Sequence, residues 1–233
     1  MKDSIEDAIA HLENGGFVMV FDADKRENET DLVTPSITIT PNKIRTLRKD
    51  AGGLICVTVP PVTWLKLKLP YLQDILSKCA EDNPLLKEMK ADDIPYDEKS
   101  TFSLTINHRD TFTGIPDRDR ALTIKRFAEM SQTFPEMTHD EAIRMFGEEF
   151  RSPGHVFLLN ATEGLLGNRR GHTELTTALL ELTDIYPSMT ICEMLADDGS
   201  SLSEEDAVKY GKENDIPLIE GDDVKEAWEE QYG

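Results

Sequence analysis

Four short apolar runs, FVMVF (17–21), LICVTV (54–59), HVFLLNA (155–161) and MTICEML (189–195), recur along the chain with helix-forming stretches between them. This alternation is the strongest constraint on the fold. Runs of this length suit strands, and their near-continuous apolar character suits strands covered on both faces. SIEDAIAHLENGG (4–16) reads as a helix: Ser4 caps it, Ile5, Ala8, Ile9 and Leu12 share a face, and Gly15-Gly16 stops it. TPNKIRTLRKDAGG (40–53) reads the same way, with Thr40 as cap and Pro41 at the first position. Further helices are expected at 117–131, 138–150, 173–186, 203–214 and 222–232, the second opened by Thr138 and Glu141 in capping-box spacing. STFSLTIN (100–107) alternates apolar and polar residues, which fits a strand near one edge, and IPLI (216–219) reads as a last short strand. No Gly/Ser-rich or Pro-rich linker and no repeat interrupts the pattern. The expectation is a single three-layer α/β domain over 1–233, a mixed twisted sheet with helices on both faces. Residues 79–98 are the least regular and are expected to form a lid or insertion.

Charge then narrows the function. With 45 acidic against 25 basic residues the net charge is −20, which opposes binding to nucleic acid or to an anionic membrane. An anionic small molecule would need a local cluster of positive charge. Cys56, Cys79 and Cys192 share no metal-ligand spacing, and no apolar run approaches the ~18 residues of a membrane helix. The chain reads as a soluble, reduced, cytoplasmic protein.

FDADKRENETDL (21–32) carries Asp22, Asp24, Lys25, Arg26, Glu27, Glu29 and Asp31 directly behind an apolar run. It is not an EF-hand, because Glu27 stands where the loop glycine belongs and Val33 where the bidentate Glu belongs. ADDGSSLSEED (196–206) fails likewise, and Ser201 with Glu204 is read there as a capping box. A charge run is commonly a solvated loop, yet loops at strand ends of α/β sheets often carry ligand sites. NRRGHTE (168–174) puts Arg169 and Arg170 beside Gly171, with His172 and Thr173 where a helix begins. That suits either a phosphate site or an ordinary helix start with two exposed arginines. RSPGHVF (151–157) offers His155, a residue type more often structural than catalytic in such a place. In TICEML, alternation puts Thr190, Cys192 and Met194 on one face and Ile191, Glu193 and Leu195 on the other. Burial would raise the Glu193 pKa into the range of a usable base, although a buried Glu paired with an Arg would look the same in sequence. Cys56 reads as core, and no Ser or Cys nucleophile motif, P-loop or GxGxxG is present.

DADKRENETDL, TGI with DRALTIKR, RSPGHVF, RRGHTE and ICEML followed by DDG occur in this order. In that order and spacing they resemble the 3,4-dihydroxy-2-butanone 4-phosphate synthase family of riboflavin biosynthesis, over about residues 4–220. The segment DIPYDEKSTFSLTINHR resembles the archaeal version, and no second GTP cyclohydrolase II domain is expected. The resemblance implies a lyase converting D-ribulose 5-phosphate to L-3,4-dihydroxy-2-butanone 4-phosphate and formate. It also implies Mg²⁺ or Mn²⁺, with two ions per active site, and a homodimer with shared sites. By position it implies Glu27 and His172 as metal ligands. It implies substrate contacts from Arg26, Glu27, Asp31, Arg169, Arg170, Gly171, His172, Thr173 and Glu193. His155 and Glu193 match the acid–base positions. Arg170 departs from bacterial members, which usually have Gly there. On this reading a divalent cation stabilises the enediolate formed at C3, and C4 leaves as formate. The sparse Glu27/His172 set suits Mg²⁺, which keeps most of its waters. The rivals are a metal-dependent sugar-phosphate isomerase or aldolase, which releases no formate, and a nucleotide- or RNA-binding module, which the net charge opposes.

Overall fold

The computed structural model describes residues 3–22, 26–91, 93–94, 97 and 99–233. Asp24 and Lys25 of the charged run, and positions 92, 95, 96 and 98 of the expected lid, lie outside the described residues. The chain opens with α1 (Ile5–Glu13), β1 (Val18–Phe21), β2 (Thr30–Pro35), α2 (Pro41–Thr46) and β3 (Cys56–Val59). Three short helices follow, α3 (Pro61–Leu67), α4 (Leu72–Cys79) and α5 (Pro84–Glu88), and then β4 (Phe102–His108). α6 (Asp117–Ser131), α7 (His139–Glu149), β5 (Phe150–Asn160), α8 (His172–Glu181) and β6 (Met189–Glu193) come next. The chain closes with α9 (Glu204–Asn214), β7 (Leu218–Glu220) and α10 (Gly221–Tyr232).

The strands form one mixed sheet in the order β4-β5-β3-β6-β2-β1-β7. β3 runs parallel to β5 and β1 parallel to β7, and the other pairs are antiparallel. Side-chain alternation sends Met19, Leu32, Val57 and Cys192 to one face, where Ile44, Ile124, Phe127, Ala142 and Ala207 cover them. Val18, Val20, Val33 and Ile191 point to the other face, under Ala8 and Leu12 of α1, Leu175 and Leu179 of α8 and Val224 of α10. The sheet is thus covered on both sides, the three-layer arrangement expected. STFSLTIN forms the edge strand β4, as its alternation suggests.

Several helix ends follow the local signals. Ser4, Thr40 and Thr138 each accept a hydrogen bond in the first turn, and Thr138 with Glu141 makes a complete capping box. One cap is different from the expectation: α9 is capped by Ser203, which accepts from the Asp206 N–H, while Ser201 donates to Glu29 Oε1 at 2.7 Å. The larger difference is β2. In the charged run the described residues Asp22 and Arg26 to Glu29 lie outside the strands, and from Thr30 onward the run is a fully buried strand between β1 and β6. β5 also begins earlier than expected, at Phe150, and α8 ends at Glu181 rather than near Tyr186.

Candidate active site

A cavity of about 450 Å³ opens where the β1–β2 loop, the ends of β2 and β6 and the start of α8 meet, a volume within the usual small-molecule range of ~300–1,000 Å³. It is lined by Arg26, Glu27, Asp31, Arg169, His172, Thr173 and Glu193, with Cys56, Asp97, Thr101 and Phe102 completing the wall.

Register creates the floor. β2 and β6 pair antiparallel with Asp31 directly opposite Glu193, so two carboxylates share one face at adjacent positions. Burial pushes the Asp31 carboxyl up to about 7, with Glu193 adding to the rise and His172 opposing it. Its Oδ1 is buried without a hydrogen-bond partner among the described residues. Burial likewise raises Glu193, whose carboxylate accepts the Leu54 N–H at 2.7 Å. A Cβ at Gly53 would collide with that carboxylate, so the close approach requires glycine. Among the described residues Glu193 forms no salt bridge within 4 Å, which removes the structural ion pair from consideration.

His172 stands over this floor at the first position of α8. Its Nδ1 lies 3.2 Å from Glu27 Oε2, and its Nε2 lies 3.2 Å from the Val20 carbonyl and 3.8 Å from Asp31 Oδ1. The carbonyl can only accept, so Nε2 carries the proton in the neutral ring and Nδ1 presents its lone pair beside Glu27. Burial opposes a charge on this ring, but Asp31, Glu27 and Asp22 outweigh burial and hold it up to about 9. Glu27 is shifted downward: burial opposes ionisation, and His172, Arg26 and Arg169 more than offset it.

Asp22, Glu27 and His172 place one ligand atom each within 4.8 Å of one another. Two carboxylates and an imidazole suit a hard divalent cation such as Mg²⁺ or Mn²⁺. Asp22 is already engaged, accepting from the Glu27 and Glu29 N–H groups at 3.0 and 3.1 Å and from Arg26. It shapes the loop that presents Glu27, which leaves Glu27 and His172 as the freer donors.

Positive charge gathers beside this cluster. Gly171 caps α8, and a Cβ there would run into the guanidinium groups of both Arg26 and Arg169. Arg169 is held by buried Glu174 and by Asp97, and Arg26 by Asp22, Glu27 and Asp97. Thr173 Oγ1 meets Thr101 Oγ1 at 3.1 Å across the cavity wall. Two arginines at a helix N-terminus form an anion site of ordinary design.

Arg26, Glu27, Asp31, Arg169, Gly171, His172, Thr173 and Glu193 therefore converge. Two expected site residues do not: Arg170 is exposed and does not line the cavity, and His155 is exposed on β5 with Asn107 Nδ2 3.2 Å from its Nδ1. Sequence reasoning passed over Asp22, Glu174 and Asp97. Glu174 sits inside the quoted motif, five residues from the arginine it holds, so a signal existed; Asp97, more than seventy residues from both partners, left none.

Residues 6–227 match the family described as 3,4-dihydroxy-2-butanone 4-phosphate synthase. The chain is 46% identical to the 3,4-dihydroxy-2-butanone 4-phosphate synthase of Methanosarcina mazei, over 97% of this chain and 92% of that protein. It superposes on a cation-free crystal structure of a 3,4-dihydroxy-2-butanone 4-phosphate synthase with TM-score 0.78 and 25% identity, covering 100% of both chains. A second such crystal structure, in complex with two magnesium ions, gives TM-score 0.73 and 25% identity, over 95% of this chain and 94% of that one.

Proposed function

Because the chain belongs to the 3,4-dihydroxy-2-butanone 4-phosphate synthase family, enzymes of riboflavin biosynthesis, we propose that it converts D-ribulose 5-phosphate to L-3,4-dihydroxy-2-butanone 4-phosphate and formate. The observation that carries this reading is the pairing of Asp31 with Glu193 beneath His172 and Glu27, beside two arginines. Such a site can remove a proton from a carbon next to a carbonyl, return protons to neighbouring oxygens, and hold a phosphate away from the chemistry.

Glu27 and His172, with Asp22 behind them, would hold a divalent cation, which when bound supplies an electrophile for the developing oxyanion. Glu193 is the base for the C3 proton: its carboxylate faces the cavity opposite Asp31, and burial raises its pKa, which makes it a stronger base than an ordinary carboxylate. Asp31, near half protonation at pH 7, can donate to one sugar hydroxyl while accepting from another. Arg169, Arg26 and the free N–H groups of α8 receive the phosphate. His155 acts from a second copy of the chain, because its own cavity lacks it and its ring, held at Nδ1 by Asn107, is exposed toward a neighbour.

The test is incubation with D-ribulose 5-phosphate and Mg²⁺, with formate and the phosphorylated product measured together. One formate per phosphorylated four-carbon ketone is expected. Formation of other pentose phosphates without formate would instead identify an isomerase.

A further inference from the structure

The anion site carries its own anion. Among the described residues, Arg26 meets Asp22, Glu27 and Asp97, and Arg169 meets Asp97 and Glu174. Among the described residues Asp97 is the carboxylate common to both: its Oδ2 accepts from Arg26 Nη2 at 3.1 Å and from Arg169 Nε at 2.7 Å. The other carboxylates are fixed by further bonds. Asp22 accepts two backbone N–H groups of its loop, Glu174 accepts the Thr162 N–H at 2.8 Å and is fully buried, and Glu27 is turned to His172. The hydrogen bonds of Asp97 among the described residues go to the two guanidiniums alone, and its side chain keeps 14% of its surface exposed.

We propose that Asp97 is an internal competitor that occupies the arginine pair and weakens every anion that must displace it, leaving a phosphate monoester bound and a singly charged anion below measurable binding. The inference rests on the proposed function, in which this pair receives the substrate phosphate. A monoanion that replaced Asp97 would exchange one negative charge for another, against a carboxylate tethered at high effective concentration. A phosphate monoester near pH 8 brings close to two charges and three acceptor oxygens, enough to bond both guanidiniums and the α8 N–H groups. Formate, the one-carbon product of the proposed reaction, is itself a lone carboxylate. Asp97 therefore keeps the arginine pair from retaining it.

Calorimetric titration of the Mg²⁺-loaded protein at about pH 8 with inorganic phosphate, and separately with formate, tests this. Wild type is expected to bind phosphate and to give no measurable formate binding. If the arginine pair stands open about a tenth of the time, Asp97→Asn tightens phosphate binding about tenfold and raises formate affinity by the same factor, into the measurable range. Asp97→Glu, which restores a carboxylate, is expected to return both toward wild type. Phosphate affinity unchanged within about twofold, or weakened, in folded Asp97→Asn overturns the proposal. Failure of both Asp97→Asn and Asp97→Ser to fold overturns it too, since a carboxylate that yields to a ligand cannot be one the fold depends on. The outcome is separable from that of the proposed reaction: the titrations need no turnover, whereas absent formate release would remove the reaction and leave the anion exchange standing.

Discussion

His172 shows most directly how one side chain would link charge to the proposed metal site. In the metal-free protein its ring is held up to about 9 by Asp31, Glu27 and Asp22, although burial works against the charge. A divalent cation held by Glu27 and His172, as proposed, would displace that proton. Magnesium binding near pH 7.5 is therefore expected to release about one proton per site, seen as a dependence of the calorimetric heat on buffer ionisation enthalpy. His172→Ala should abolish both the release and the activity. The same shift sets a pH trend. A folded pKa above the ordinary 6.5 stabilises the fold fully below that value and is lost as pH rises through about 9. Asp31, raised from 3.8 to about 7, acts in the same direction at lower pH. Chelator-treated protein should accordingly melt at lower temperature at about pH 9 than at about pH 6.5, and a rising melting temperature would contradict the assigned charges. Glu193 gives the complementary case. Its bond from the Leu54 N–H survives replacement by the neutral amide. Glu193→Gln should keep the melting temperature near wild type and lose at least ~100-fold in kcat, as removal of a general base does. Near-normal turnover would make Glu193 scaffold.

Elements were legible where local chemistry acts alone. The capping box at Thr138 and Glu141 and the run over Asp117–Ser131 give α7 and α6 almost residue for residue, because caps and periodicity need no distant partner. β2 was not legible. Thr30, Asp31 and Thr34 are polar, as a surface loop would be, and their burial follows from β1 and β6 closing on either side. The site divides likewise. The face of Glu193 follows from alternation, but that Asp31 lies opposite it is a property of register, which joins residues more than 160 positions apart. The start of α8 turns such placement into a prediction. Gly171 has φ −87, a value any residue adopts, so its glycine is required by space: a Cβ would displace the guanidiniums of Arg169 and Arg26. Gly171→Ala should change the helix cap itself by only ~1 kcal/mol, and any larger loss of stability would come from moving Arg169 off buried Glu174. It should raise KM for the sugar phosphate at least about tenfold, as expected when one charge-assisted contact is lost. A KM within twofold of wild type would place the phosphate elsewhere.

At the scale of the whole molecule, two features bear on the proposed sharing of sites between copies of the chain. Phe112 is 95% exposed and Ile115 50% exposed, on the turn that follows the edge strand β4. That turn is tied to β5 by Arg151, which donates to the Thr111 carbonyl, and by Asn107, whose amide donates to the Thr113 carbonyl and lies 3.2 Å from His155 Nδ1. Exposed aromatic and aliphatic side chains thus adjoin the one expected acid–base residue that the cavity lacks. A net charge of −20 opposes indiscriminate self-association, so a pairing that forms despite it must bury specific apolar contacts. In a two-fold dimer whatever one copy lends it also receives, so each cavity would gain a His155 from its neighbour. The consequence is testable by mixing two inactive variants. His155→Ala retains an intact cavity but lends no histidine, and Glu193→Gln retains the histidine but has a dead cavity. In a mixed dimer the cavity of the His155→Ala chain meets the intact histidine of the Glu193→Gln chain, which makes one working site of two. Random exchange of equal amounts gives about half mixed dimers, hence about a quarter of wild-type activity. A mixture as inactive as its components, after exchange is verified by mass spectrometry of tagged chains, would return His155 to a purely structural role.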